Sequence, residues 1–129
     1  MKIKSIFKRL ILIEIALIIL GVISLFFQSQ EVINFNEDYN KSFDEGFDML
    51  SIFLFLIVYP VTIYLLYNFK SLGKQLYLII TIFGLAFAMF SGPIASDPWF
   101  YIIDILGCAN TGAILVLLYF SPISKEFEK

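Results

Sequence analysis

Apolar residues run in four long blocks along this chain, and most polar residues gather between the blocks rather than alternating within them. The blocks cover residues 10–27, 47–69, 76–91 and 99–120. Strict alternation would point to half-buried strands, and a 3.6-residue stripe to a helix half in water. Continuous runs of this length instead match helices crossing ~30 Å of hydrocarbon, which takes about 20 apolar residues. A crossing segment must satisfy its own backbone N–H and C=O groups, so each run is read as a helix. The third run is the shortest of the four.

Local punctuation agrees with these blocks. Ser42 and Glu45 frame a capping box, so the second helix is expected to begin near Phe43. Gly73 suits the C′ position at its end, with Lys70 where the helix dipole favours a cation. Ser91-Gly92-Pro93 reads as a stop. Asp97-Pro98 reads as a restart, with Asp97 as N-cap and Pro98 at the first helical position. Pro122 is expected to end the fourth helix. Pro60, midway along the second, removes a backbone donor and is expected to kink it.

Charge sets an orientation. Lys2, Lys4, Lys8 and Arg9 precede the first block, Lys70 and Lys74 follow the second, and Lys125 and Lys129 follow the fourth. All eight fall on one side of a four-span arrangement, and Lys41 alone falls on the other, among Glu31, Glu37, Asp38, Asp44, Glu45 and Asp48. The positive-inside rule then places both termini in the cytoplasm. The expected fold is all-α: one integral membrane domain over residues 1–129, a four-helix bundle with N-in/C-in topology and an acidic outer loop at about 28–42. The first block exceeds a signal-peptide core of about 7–15 residues and lacks an A-x-A-like cleavage site, so it is read as a retained helix.

Composition strengthens the membrane reading: 60% of residues are hydrophobic and only 16% are charged, whereas a soluble domain carries about 25% charged residues. A net charge of −2 offers no basic excess for phosphates, so no nucleic-acid partner is expected. The single cysteine, Cys108, precludes a disulfide within the chain, and the absence of histidine removes the commonest general base. No catalytic, cofactor-binding or metal-binding residue is identified, and the chain is not expected to be an enzyme. The lipid bilayer is the expected partner, together with another membrane protein or a second copy of the chain.

Ionisable residues in a span cost a few kcal/mol, which makes Glu14 and Asp104 functional candidates. Counted from the block edges, each lies a turn or so inside its own leaflet. That places them on opposite sides, ~15 Å or more apart along the membrane normal. Glu14 has Lys8, Arg9, Lys74 and Lys125 as possible partners. Asp104 has the outer-loop backbone, Lys41 or a tyrosine. Asn110 is the deepest strongly polar side chain and is expected to bond across to another helix of the same bundle. Gly84 and Ala88 in the third block, and Cys108 and Gly112 in the fourth, form small-xxx-small faces. Such faces let helices approach closely, so the third and fourth helices are expected to pack together, with oligomer contact as the alternative.

The C-terminal stretch from Leu117 through Tyr119, Ser121, Pro122 and Lys125 to Phe127 resembles the ending of small uncharacterised four-span bacterial inner-membrane proteins. The basic turn from Lys70 to Gln75 is similar to theirs. The resemblance implies an inner-membrane location and no particular activity. Glu14, early in the first of four short spans, is also similar in placement to the proton-coupling acid of small multidrug resistance exporters. The long acidic outer loop and the strong charge bias depart from that family. Two functions are therefore expected in turn: an accessory, regulatory or immunity-type protein acting by contact within the bilayer, and a small oligomeric transporter or channel using Glu14.

Overall fold

A computed structural model describes residues 3–39, 53–90 and 94–128, and every regular element among them is helical. Helix α1 covers Ile3–Leu25, α2 Gln30–Tyr39, α3 Tyr59–Tyr67, α4 Ser71–Phe90 and α5 Pro98–Phe120. A π-helical turn, Leu54–Val58, leads into α3, and a 3₁₀ helix, Pro122–Phe127, follows α5. Helices α4 and α5 are each long and apolar enough to cross a membrane, and α1 with α2 forms a third candidate broken by a 91° bend. The apolar helix at Leu54–Tyr67 is shorter. The capping box at Ser42 and Glu45 and the stop at Ser91-Gly92-Pro93 lie outside the described residues.

Helix α1 packs along α5, and α3 along α4, with a slighter contact between α1 and α3. Extensive packing between α4 and α5, expected from their small residues, is not observed. A Cβ built on Gly84, Gly107 or Gly112 would meet nothing within 4 Å, so these glycines mark no helix crossing among the described residues. Ala88 and Cys108 also lie on exposed faces.

The glycine that does allow close approach is Gly73. It is not a C′ residue but lies in the first turn of α4, where a Cβ would come within 2.8 Å of Leu65 Cβ and of the Leu66 backbone nitrogen. The left-handed C′ position after α3 belongs to Phe69, with φ 55°. The Lys70 N–H donates to Leu65 O (2.9 Å) and the Phe69 N–H to Leu66 O (3.0 Å), which together make a Schellman end. A bulky residue is uncommon there. Its ring is held by Phe7 at 5.8 Å and Phe127 at 5.4 Å between centroids, and these contacts offset the backbone strain.

Phe127 reaches that cluster because the chain turns back after α5. Ser121 is extended, its hydroxyl accepts the Ile123 N–H, and the 3₁₀ turn drops Ile123 and Phe127 against Phe7, Ile11, Leu66 and Leu118. Lys4 pairs with Glu126 (2.8 Å), and Lys74 donates to Ser124 (2.7 Å) across the same end.

At the opposite end α2 folds over the helix tips. Asn36 Nδ2 donates to Ala95 O (3.0 Å), and the Ala95 N–H donates to Asn36 Oδ1 (2.9 Å). Asp97 has the extended conformation of an N-cap, and Pro98 opens α5 as expected. The Asp97 carboxylate, however, accepts the Ser29 N–H (2.9 Å) rather than capping its own helix.

Candidate functional site: the Glu14 cluster

Helix α1 begins at Ile3, one and a half turns or more before the apolar block itself, because basic residues are good helix formers and Phe7 contributes to the core. Glu14 is consequently the middle residue of a 23-residue helix. Asn110 occupies a matching place near the middle of α5. The two helices run antiparallel, so their midpoints coincide.

Glu14 is 4% exposed and accepts four hydrogen bonds from three other helices. Oε1 receives Tyr59 Oη at 2.6 Å from α3, Tyr77 Oη at 3.1 Å from α4 and Thr111 Oγ1 at 3.0 Å from α5. Oε2 receives Asn110 Nδ2 at 2.5 Å, and the same amide also donates to Leu10 O (3.1 Å). A carboxylate presents about four acceptor sites, and the donors here are unevenly shared, three on Oε1 and one on Oε2. The donors are neutral hydroxyls and an amide. Lys8 instead lies over the Tyr67 ring (4.3 Å), and Lys74 over the Tyr119 ring (4.6 Å). Among the described residues no buried side-chain nitrogen or oxygen lacks a partner.

Each donor is delivered by local structure. The π-turn at Leu54–Val58 lets the Tyr59 N–H reach back five residues to Leu54 O, immediately before Pro60, which has no N–H to donate and sits in the first turn of α3. Tyr59 and Tyr77 then bring their rings to a centroid separation of 6.4 Å beside the carboxylate. Thr111 follows Asn110 in sequence, so one turn of α5 supplies two donors. Tyr77 carried no signal in the sequence: a tyrosine at the head of an apolar block reads as interfacial. The mark that would have found the set is the short list of hydrogen-bonding side chains embedded in the apolar blocks, Tyr59, Tyr77, Asn110 and Thr111, opposite one acid.

Glu14 also marks the edge of the buried core. On the side of Phe7, Leu66, Tyr77 and Leu118 the helices enclose a core, while beyond the Glu14 level no described residue is buried. Beyond that level lies a cavity of about 240 Å³ between α1, α5 and Phe55, with Gly21, Gly107 and Ile103 in its wall. Both Glu14 and Asp104 line it. The two acids therefore border one cavity. Asp104 lies six residues from Asn110, an offset of about 9 Å along the helix.

No group of three or more metal-ligating side chains occurs among the described residues. Comparison with known proteins gives no match: no family model fits the chain, and no curated protein or solved structure is similar to it.

Proposed function

We propose that this chain is a non-enzymatic membrane protein that acts by contact with another membrane protein, crossing the bilayer four times with both termini in the cytoplasm of a bacterial cell. The observation that carries the reading is the one-sided packing of the bundle. Its terminal half has a closed core, while in its other half a Cβ on Gly84 or Gly107 would meet nothing within 4 Å. Glycines on a lipid-facing helix gain nothing by themselves. Within a bilayer they serve close approach by a second helix, since lipid supplies no hydrophobic drive and association depends on van der Waals packing.

Photo-crosslinkers placed at Gly84 and at Gly107 in native membranes test this. A discrete adduct with one second polypeptide at both sites supports the reading. Adducts with lipid alone at both sites would defeat it.

A second reading, transport of a cation, is favoured by the cavity that joins Asp104 to Glu14. It requires Glu14 to exchange its four donors for a substrate during each cycle. Reconstituted vesicles carrying Glu14→Gln separate the readings: equal cation flux in the variant and the unaltered chain argues against transport.

A further inference from the structure

The seam between α1 and α3, whose direct contact is slight, holds an apolar cavity of about 730 Å³. Leu12, Ile15, Ile19 and Val22 line it from α1, and Tyr64 and Tyr67 from α3. At its lower end a second cavity of about 570 Å³ is lined by Lys4, Ser5, Lys8 and Arg9, with Leu12 common to both. The seam is thus one groove, cationic at the mouth and hydrocarbon along its length. Lys4 is engaged by Glu126, while Lys8 is steered to the mouth by the Tyr67 and Phe69 rings at 4.3 and 5.6 Å.

We infer that this groove binds one anionic glycerophospholipid of the inner leaflet, with its phosphate against Ser5, Lys8 and Arg9 and an acyl chain along Leu12, Ile15 and Ile19. Two observations select a lipid over a helix. The charge is confined to one end, which complements an amphiphile with a single anionic head. From Leu12 to Val22 the groove runs ten residues, about 15 Å, which is half of a ~30 Å hydrocarbon core and therefore the depth of one leaflet. Basic pockets between helices on the cytoplasmic side are suited to anionic headgroups. The inference rests on the bilayer placement proposed above and not on the protein partner.

Native mass spectrometry and thermal unfolding of the whole chain in neutral detergent provide the test, with dioleoyl phosphatidylglycerol, dioleoyl phosphatidylcholine and glycerol 3-phosphate as probes. Phosphatidylglycerol is expected to remain bound, to raise the unfolding temperature, and to bind about tenfold or more tighter than phosphatidylcholine. Glycerol 3-phosphate is expected to do neither. Lys8→Gln with Arg9→Gln should remove the preference between the lipids. Ile15→Trp should weaken both lipids, and Ile102→Trp on a remote face should weaken neither.

Equal binding of the two lipids, retention of phosphatidylglycerol by Ile15→Trp, or a response to glycerol 3-phosphate alone would each overturn the inference. A second copy of the chain crosslinked through Ile19→Cys would place a helix in the groove and overturn it as well. If the bilayer placement itself is wrong, the chain will instead be folded and monomeric without detergent, a result separate from any lipid preference.

Discussion

Asn110 donates its amide to both the Glu14 carboxylate and the Leu10 carbonyl, so one side chain of α5 holds α1 at its midpoint through a side chain and a backbone atom. The same carboxylate is reached by α3 and α4. Glu14 thus ties α1 to α3, α4 and α5, and its loss should be felt by all four.

Replacing Glu14 by leucine removes four acceptor interactions and leaves buried donors in an apolar setting. A donor stranded in this way costs about 1–3 kcal/mol. Thr111 can turn to a backbone carbonyl on its own helix, as Thr62 and Thr81 already do, so the penalties will not sum in full. We expect a loss of about 3 kcal/mol for Glu14→Leu, and a smaller loss for Glu14→Gln, whose amide keeps one acceptor. Unfolding in mixed micelles by a denaturing detergent measures both.

Glycines divide into two classes with opposite predicted effects. At Gly73→Ala the new methyl would meet Leu65 and the Leu66 backbone at 2.8 Å. Backbone cannot yield as a flexible side chain does, and the strain should cost about 1–3 kcal/mol. At Gly84→Ala and Gly112→Ala nothing stands in the way, and the gain in helix propensity is up to about 1 kcal/mol. The same two substitutions are expected to reduce crosslinking to a partner. Stability and association should therefore move in opposite directions at those sites, which paired unfolding and crosslinking measurements will show.

Phe127→Ala tests the folded-back tail. Its ring is 1% exposed and sits at 5.8 Å from Phe7 and 5.4 Å from Phe69. Truncating a buried phenylalanine costs about 3–5 kcal/mol, and here it also withdraws support from the left-handed backbone at Phe69. Phe69→Gly should be milder than Phe69→Ala, because glycine accepts the positive φ. An equal cost for the two Phe69 variants would show that backbone strain is not involved.

Much of the helix pattern could be read from the chain alone, and the reasons for the exceptions are physical. α5 begins at Pro98 and ends at Phe120, almost where Pro98, Pro122 and the apolar block put it. Block edges and proline carry that information locally. Gly73 was misplaced because a glycine after a helix and a glycine at a helix crossing look alike in one dimension, and only the neighbouring Leu65 tells them apart. The Glu14 cluster was legible only in part. An acid and an amide in apolar runs signal a polar contact, but the register that sets Asn110 against Leu10 and Glu14 arises from packing of side chains far apart in sequence. The bend after Leu25 was hidden for a related reason. Helix α2 is held by Asn36 and Ala95, 59 residues apart.

Asn36→Ala removes both bonds to Ala95 and should release α2 from the helix tips. Amide hydrogen exchange is expected to quicken at Ala95 and through Gln30–Tyr39, with little change in α4 or α5. Uniform quickening across the chain would mean that α2 contributes to global stability rather than forming a separable cover.

The claim on which most rests is that Glu14 and Asn110 are energetically joined. A double-mutant cycle with Glu14→Gln, Asn110→Leu and both together, read by unfolding in micelles, measures this directly. Coupled neighbours in one hydrogen-bond network give interaction energies of about 0.5–3 kcal/mol, and about 1 kcal/mol or more is predicted for this pair. Additive losses, with a coupling indistinguishable from zero, would contradict the account.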